Sequence, residues 1–406
     1  MQITGPVGKS QFTRCFCTDL RCCRDSVERR DRSRDMEAIW VTALFSQAEA
    51  NPVMVALTRL AHGWSKKRLA EEAGVSGSHV TRVEAGALPL AGKALDDYAR
   101  ALQCPVDALC VAFERSPAQG THFRANATTA EWKRDRVWAR ANLVAMRLGR
   151  VVAHTDLDPA LALPDLDPGD YAAELGEITV AQVLRRLWRI AGPIRSMVEL
   201  LEGAGVFVVV EDFHDREIDA VTLRATAHHP HLVYVNSALP PDRMRMTLAH
   251  ELGHLVMDAM TLVSPAETER RADVFAAEFL APVDDIGPAL DRVSTRTVHE
   301  LDELRLDWGV SESSLVVRAR ERGVLSDRQY RAMFRLLNET GRMYGARPGV
   351  PAETPELARD VLAQLATDGY STTELDALTL LSPDRRTSLF GAPEGATAGS
   401  RHLTVV

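Results

Sequence analysis

No stretch of this chain is apolar for long enough to cross a bilayer. The longest apolar runs, such as Gly205 to Val210, fall far short of the roughly 20 residues a spanning helix needs. The first residues are polar and then rich in Arg and Asp, with no apolar segment of the kind a secretory signal requires, so the cytoplasm is the expected compartment and no membrane the expected partner. Cysteine offers no staple. Cys15, Cys17, Cys22 and Cys23 crowd the leader, and Cys104 and Cys110 lie in a helical segment; the spacing fits neither a disulfide framework nor two C-x-x-C pairs, and reduced thiols are expected. There is no internal repeat and no glycine-rich loop for cradling phosphate. Positive charge is not in excess either: 48 Lys and Arg stand against 56 Asp and Glu, a net −8. That excludes a general nucleic-acid coat but leaves a sequence-specific regulator open. What remains is a globular composition, 46% hydrophobic and 26% charged over 406 residues, enough for two to four domains with a sizeable core.

The most informative stretch is M-T-L-A-H-E-L-G-H-L-V-M-D, Met246 to Asp258. On a helix, residues four apart share a face, so His250 and His254 can direct both imidazoles at one metal ion. Glu251 stands beside the first of them, where its carboxylate can take a proton from an attacking water. Leu248, Leu252, Leu255 and Val256 give the segment an apolar side, so it reads as a helix without any motif. Downstream, E-T-E-R-R-A-D-V-F-A-A-E-F-L-A-P (Glu267 to Pro282) carries Ala272, Phe275, Ala276, Phe279 and Leu280 at helical spacing. A carboxylate from this second helix would complete a His, His, Glu set of the kind that holds catalytic zinc. Glu267, Glu269 and Glu278 all compete for that place; Glu278, two and a half turns beyond Glu269, is expected to face solvent.

These two segments together resemble the ImmA/IrrE family of metallopeptidases, over roughly residues 195 to 300. The resemblance puts the metal ligands on His250, His254 and Glu269, the general base on Glu251, and a partner that orients a ligand histidine on Asp273. It implies one Zn2+ per chain and hydrolysis of a peptide bond. Zinc would polarise the carbonyl and bring the pKa of its water towards about 7, and Glu251 would take the proton. The strand and loop H-L-V-Y-V-N-S-A-L-P-P-D-R (His231 to Arg243) matches the family's approach to the catalytic helix.

The second informative region is Leu57 to Gly86. Ser65 is placed to cap a helix, Gly74 permits a left-handed turn, and Ser76 caps the next helix, with Val80 and Val83 facing inward. Helix, tight turn, helix is the helix-turn-helix arrangement. L-A-E-E-A-G-V-S-G-S-H-V-T-R-V-E-A-G resembles the Cro/repressor (XRE) family from about 52 to 112. That resemblance implies an operator in double-stranded DNA, bases read by Ser78, His79, Thr81 and Arg82, and phosphates contacted by Lys66 and Lys67, with Arg68 beside them. The family more often has Gln where Lys66 stands, which leaves the register of the phosphate contact open. Acids and bases are nearly balanced from Leu57 to Leu109, so non-specific affinity should be modest and a homodimer is expected.

The expected architecture is multidomain and mainly α. A leader over 1–50 without fixed structure precedes an all-α helix-turn-helix domain at 51–115. Residues 116–175 form a helical connector and linker: a basic helix from Ala130 to Val152 with a solvated face, then a Pro/Asp-rich stretch, Asp156 to Gly169. An α+β zincin-like domain follows at 176–300 with a small antiparallel sheet, then a helical region at 301–390 and a disordered tail at 391–406. The leader has no folding pattern and runs directly into Met36, which suggests translation starts there; an intact mass that includes residues 1–35 would refute this. His228, His229 and His231 read as a solvated turn, and the helix-turn-helix look of Trp308 to Ser311 belongs to the peptidase module. Two functions fit: a DNA-binding regulator with a zinc endopeptidase that acts on a protein such as another XRE-type repressor, or the same regulator with its zincin-like domain as a ligand or peptide sensor without turnover.

Overall fold

The computed structural model describes residues 48–116, 122–125, 128–171, 175–258, 264–343 and 348–392. The leader with its four cysteines and Met36, and the tail from 393, lie outside the described residues. No described helix is long and apolar enough to cross a membrane.

Five helices open the described chain: α1 (Pro52–Ala61), α2 (Lys66–Ala73), α3 (Gly77–Glu84), α4 (Gly92–Ala101) and α5 (Val106–Cys110). Their ends follow from local chemistry. The side chains of Asn51, Ser65 and Ser76 accept from the backbone N–H of Val53, Arg68 and His79, satisfying donors that a helix start leaves orphaned. Gly74 stops α2 in the left-handed region at φ +67°, where a residue with a Cβ is strained. Leu57, Leu69, Val80, Val83, Leu95 and Tyr98 fill the small core so formed.

The long helix α6 (Glu131–Val152) departs from the sequence reading of a connector with a solvated face. Its apolar residues form two stripes. Val137, Ala141, Val144 and Leu148 enter the core on one face of the sheet, while Trp138, Ala139, Leu143 and Met146 pack with Met54 and Leu57 of α1. A single helical stripe was legible in the sequence; the second lies in residues that interleave with arginines. The Pro/Asp-rich stretch is not a free linker either. Leu161 and Leu166 donate backbone N–H groups to the carbonyls of Gly203 and Val256, at 2.8 Å each, and the Trp188 indole bonds to the Ala162 carbonyl.

The sheet comprises β1 (His122–Ala125), β2 (Phe207–Glu211), β3 (Ile218–Leu223) and β4 (Leu232–Asn236), in the order β1-β3-β4-β2. It is mixed, where the sequence suggested purely antiparallel strands. β2 runs parallel to β4, and β3 is antiparallel to both β4 and β1. Both faces are covered, which explains the nearly unbroken apolar runs. Val208, Ala220, Val233 and Val235 face one core, and Phe207, Val209, Val221 and Tyr234 the other.

The first core holds α7 (Gly176–Leu187), α8 (Met197–Gly203), α9 (Pro241–Met257), α10 (Pro265–Leu280) and α11 (Val283–Leu290), with α12 (Glu300–Trp308), α13 (Glu312–Glu321) and α14 (Asp327–Glu339). The second holds α6, α15 (Leu357–Thr367), α16 (Thr372–Thr379) and α17 (Pro383–Phe390). Gly309, at φ +65°, does separate α12 from α13 in helix-turn-helix fashion. That turn is buried work, however: Arg245 of α9 donates to the Gly309 carbonyl at 3.0 Å and leaves no room for a Cβ there.

Candidate metal centre

Helices α9 and α10 pack side by side, and a glycine sets how close they come. A Cβ on Gly253 would meet Phe275 at 3.0 Å and the Ala272 backbone at 3.4 Å. The small residue inside H-E-L-G-H therefore lets α10 bring a carboxylate to the histidines. That carboxylate is Glu269: its oxygens lie 3.2 Å from His250 Nε2 and 3.4 Å from His254 Nε2. The two Nε2 atoms are 3.0 Å apart, and one donor atom from each of the three residues falls within 4.8 Å of the others. Both histidines are almost wholly buried, while Glu269 remains partly open to solvent.

Each ring is held from behind. His250 Nδ1 donates to Asp273 Oδ1 at 2.9 Å, and His254 Nδ1 to Asp258 Oδ2 at 2.6 Å. These bonds fix the tautomer that turns each Nε2 lone pair towards a shared point and raise its basicity. Asp258 was missed in the sequence, although its place four residues after His254, at the end of the same helix, was a usable signal. The rivals of Glu269 are engaged elsewhere. Glu267 pairs with Arg270 and Arg271. Glu278, expected in solvent, is fully buried against Gln182 and Arg318.

Glu251 is fully buried. The Thr222 hydroxyl of β3 donates to its Oε2 at 2.6 Å, and its Oε1 has no hydrogen-bond partner among the described residues. An orphaned buried carboxylate oxygen costs free energy unless something outside the protein meets it. Arg124 of β1 donates to Asp273 at 2.8 Å and stands against the His250 ring. With Asp219, Arg243 and Thr247 it lines an open groove of about 380 Å³ beside Glu269. Thr222 and Arg124 had no signature in the sequence, because strand pairing brings them in from far along the chain. Two buried nitrogen donors, a carboxylate and a neighbouring orphaned oxygen fit a catalytic zinc set.

A family model of the IrrE N-terminal-like domain, a peptidase family, matches residues 201–320, and a helix-turn-helix model matches residues 55–109. This chain joins a helix-turn-helix domain to an IrrE-like peptidase domain. A search of curated proteins found no significant match. The IrrE-like match spans β2 to α13 and contains all five site residues, His250, Glu251, His254, Glu269 and Asp273.

In the helix-turn-helix domain, Ser78, Thr81 and Arg82 are exposed on α3, and Lys67 on α2. Two other expected contacts are partly engaged. His79 shares a hydrogen bond with the Tyr98 hydroxyl, and Lys66 lies 3.6 Å from Glu84, which Arg59 already grips with two bonds.

The electrostatics of the His250, His254 and Glu269 cluster set a pH dependence. Burial alone would lower the pKa of His254, but the carboxylates of Asp258 and Glu269 outweigh it and lift the pKa to about 9. The raised value means protonation stabilises the metal-free fold below about pH 6.5, and this contribution fades as pH rises through 9. Metal binding runs the other way, since a ligand imidazole must be neutral. Zinc affinity is expected to rise by up to about tenfold per pH unit between pH 6.5 and 9, for one proton displaced. Competition titrations against a chelator across that range would show it, and a flat profile would contradict it.

Proposed function

We propose that the chain is a cytoplasmic DNA-binding transcription regulator whose IrrE-like domain is a zinc-dependent endopeptidase. The observation that carries this reading is the buried His250, His254 and Glu269 set beside a general base with one unpartnered oxygen. A pure sensor has no need of that base. One zinc per chain, held by those three residues, would supply Lewis-acid polarisation of a peptide carbonyl and lower the pKa of the attacking water.

The rest falls to the chain's own side chains. Thr222 holds Glu251 by Oε2, which leaves Oε1 to take a proton from the attacking water. A C–O bond forms as the C–N bond breaks, and Glu251 returns the proton to the departing amine nitrogen. Asp273 and Asp258 keep both imidazoles in the required tautomer. Arg124 supplies the cationic group near the scissile bond that the sequence alone does not identify. The substrate class is a regulatory protein, such as another XRE-type repressor. Operator binding is assigned to a homodimer that presents Ser78, His79, Thr81 and Arg82 to the major groove and Lys66 and Lys67 to phosphates.

Elemental analysis of the purified chain tests the centre. Near-stoichiometric zinc is expected in the wild type, with most of it lost in His250→Ala and in Glu269→Ala. A wild type without metal after purification free of chelators would sink the peptidase reading. Zinc retained by Glu269→Ala would remove that residue from the ligand set.

A further inference from the structure

The arginines of α6 were read from sequence as a solvated face, and the peptidase reading makes no use of them. Arg136, Arg140 and Arg147 are four and seven residues apart, so they share one side of the helix. In the structure that side lines a cavity of about 810 Å³, closed on its other walls by α1, the end of α4 and the C-terminal helices. The size lies within the roughly 300–1,000 Å³ typical of small-molecule sites.

The charge inside is one-sided. Arg100, Arg136, Arg140, Arg147 and Arg385 all border the cavity, and among the described residues that line it Glu211 is the one acidic side chain. Glu211 is already committed: it accepts from Arg140 at 2.6 Å, from Arg385 and from the Tyr234 hydroxyl. Arg147 is left over. Among the described residues it makes no hydrogen bond and no ion pair, and its Nε is shut off from solvent. Burial first, then repulsion from Arg385, lowers its pKa to about 10. A guanidinium held unpaired beside other guanidiniums is costly, and the cost is offset when a multiply charged anion enters. Leu143, Leu381 and Leu389 add an apolar wall for an organic body.

We propose that this cavity is a binding site for a small organic phosphate, with its phosphate groups held by Arg140, Arg147 and Arg385. Guanidinium forks match phosphate oxygens two at a time, which favours phosphate chemistry for such a cluster. No residue of α2 or α3 lines the cavity, so it lies off the surface assigned to bases and to the DNA backbone. Its walls come from α1 and the end of α4, from α6 and from the C-terminal helices.

The test uses the full chain, with ADP and inorganic pyrophosphate as probes in calorimetric titrations and thermal melts. One-to-one binding in the micromolar range is expected, with a rise in melting temperature on ADP addition. Arg147→Met should weaken ADP at least tenfold and abolish that rise, yet leave the ligand-free melting temperature equal or higher, because an unpaired buried charge has gone. A second variant, Arg385→Met, should weaken ADP similarly. The proposal is overturned if neither probe binds, or if Arg147→Met binds ADP as tightly as the wild type. It is equally overturned if a short DNA duplex competes ADP off, since the cluster would then be part of the DNA surface.

Discussion

Replacing Glu251 by Gln should lower peptide cleavage by about 10²- to 10⁴-fold, the usual contribution of a positioned general base. The side chains are nearly isosteric, and Thr222 can still donate to the remaining amide oxygen, so the fold should not move. Zinc content and operator affinity are expected to stay at wild-type values, because neither the His250, His254, Glu269 set nor α3 is touched. The readout is the disappearance of a full-length XRE-type repressor incubated with zinc-loaded protein, followed on gels beside the wild type. A reporter driven by the target promoter separates the two readings. If its response survives Glu251→Gln unchanged, the zincin-like domain is a sensor and its chemistry is idle.

Arg318→Met should cost about 3–5 kcal/mol of stability, the usual penalty for removing one partner of a buried ion pair. Glu278 on α10 is 0% exposed and Arg318 on α13 only 5%. Arg318 contacts Glu278 directly and donates to the Ala281 carbonyl at 3.0 Å. Removing it strands a buried carboxylate, whose remaining hydrogen bonds among the described residues come from Gln182 at 3.0 Å and the Val283 N–H at 3.3 Å. Pairing the change with Glu278→Gln should restore much of the loss, since both charges then leave together. Urea denaturation of the three variants measures this; a single variant within about 1 kcal/mol of the wild type would contradict the burial argument.

What could be read from the residues was whatever depends on neighbours along the chain. The caps at Ser65 and Ser76, the left-handed turn at Gly74, and the i, i+4 histidines are local, and the structure has each of them. The choice of Glu269 over Glu267 and Glu278 needed the angle between α9 and α10, which no periodicity encodes; the family resemblance supplied it, and the geometry has Glu269 at the histidines. Glu278 went wrong for a physical reason. A carboxylate on a helix reads as solvated unless its partner is visible, and Arg318 stands forty residues away. His229 failed in the same way: it is 3% exposed and bonds to Ser116, more than a hundred residues earlier. Strand β1 was missed because a four-residue strand has too few positions for alternation to show.

Helix α6 has its two apolar stripes in two different cores, one beneath the helix-turn-helix domain and one beneath the sheet. The helix-turn-helix domain and the sheet are therefore not a pair of beads on a string. Cutting it at residue 115 would strip Met54 and Leu57 of their cover from Trp138, Leu143 and Met146, and the freed DNA-binding fragment would carry a sticky flank. The same shared beam means that a rotation of α6 about its axis would disturb the packing of both cores at once.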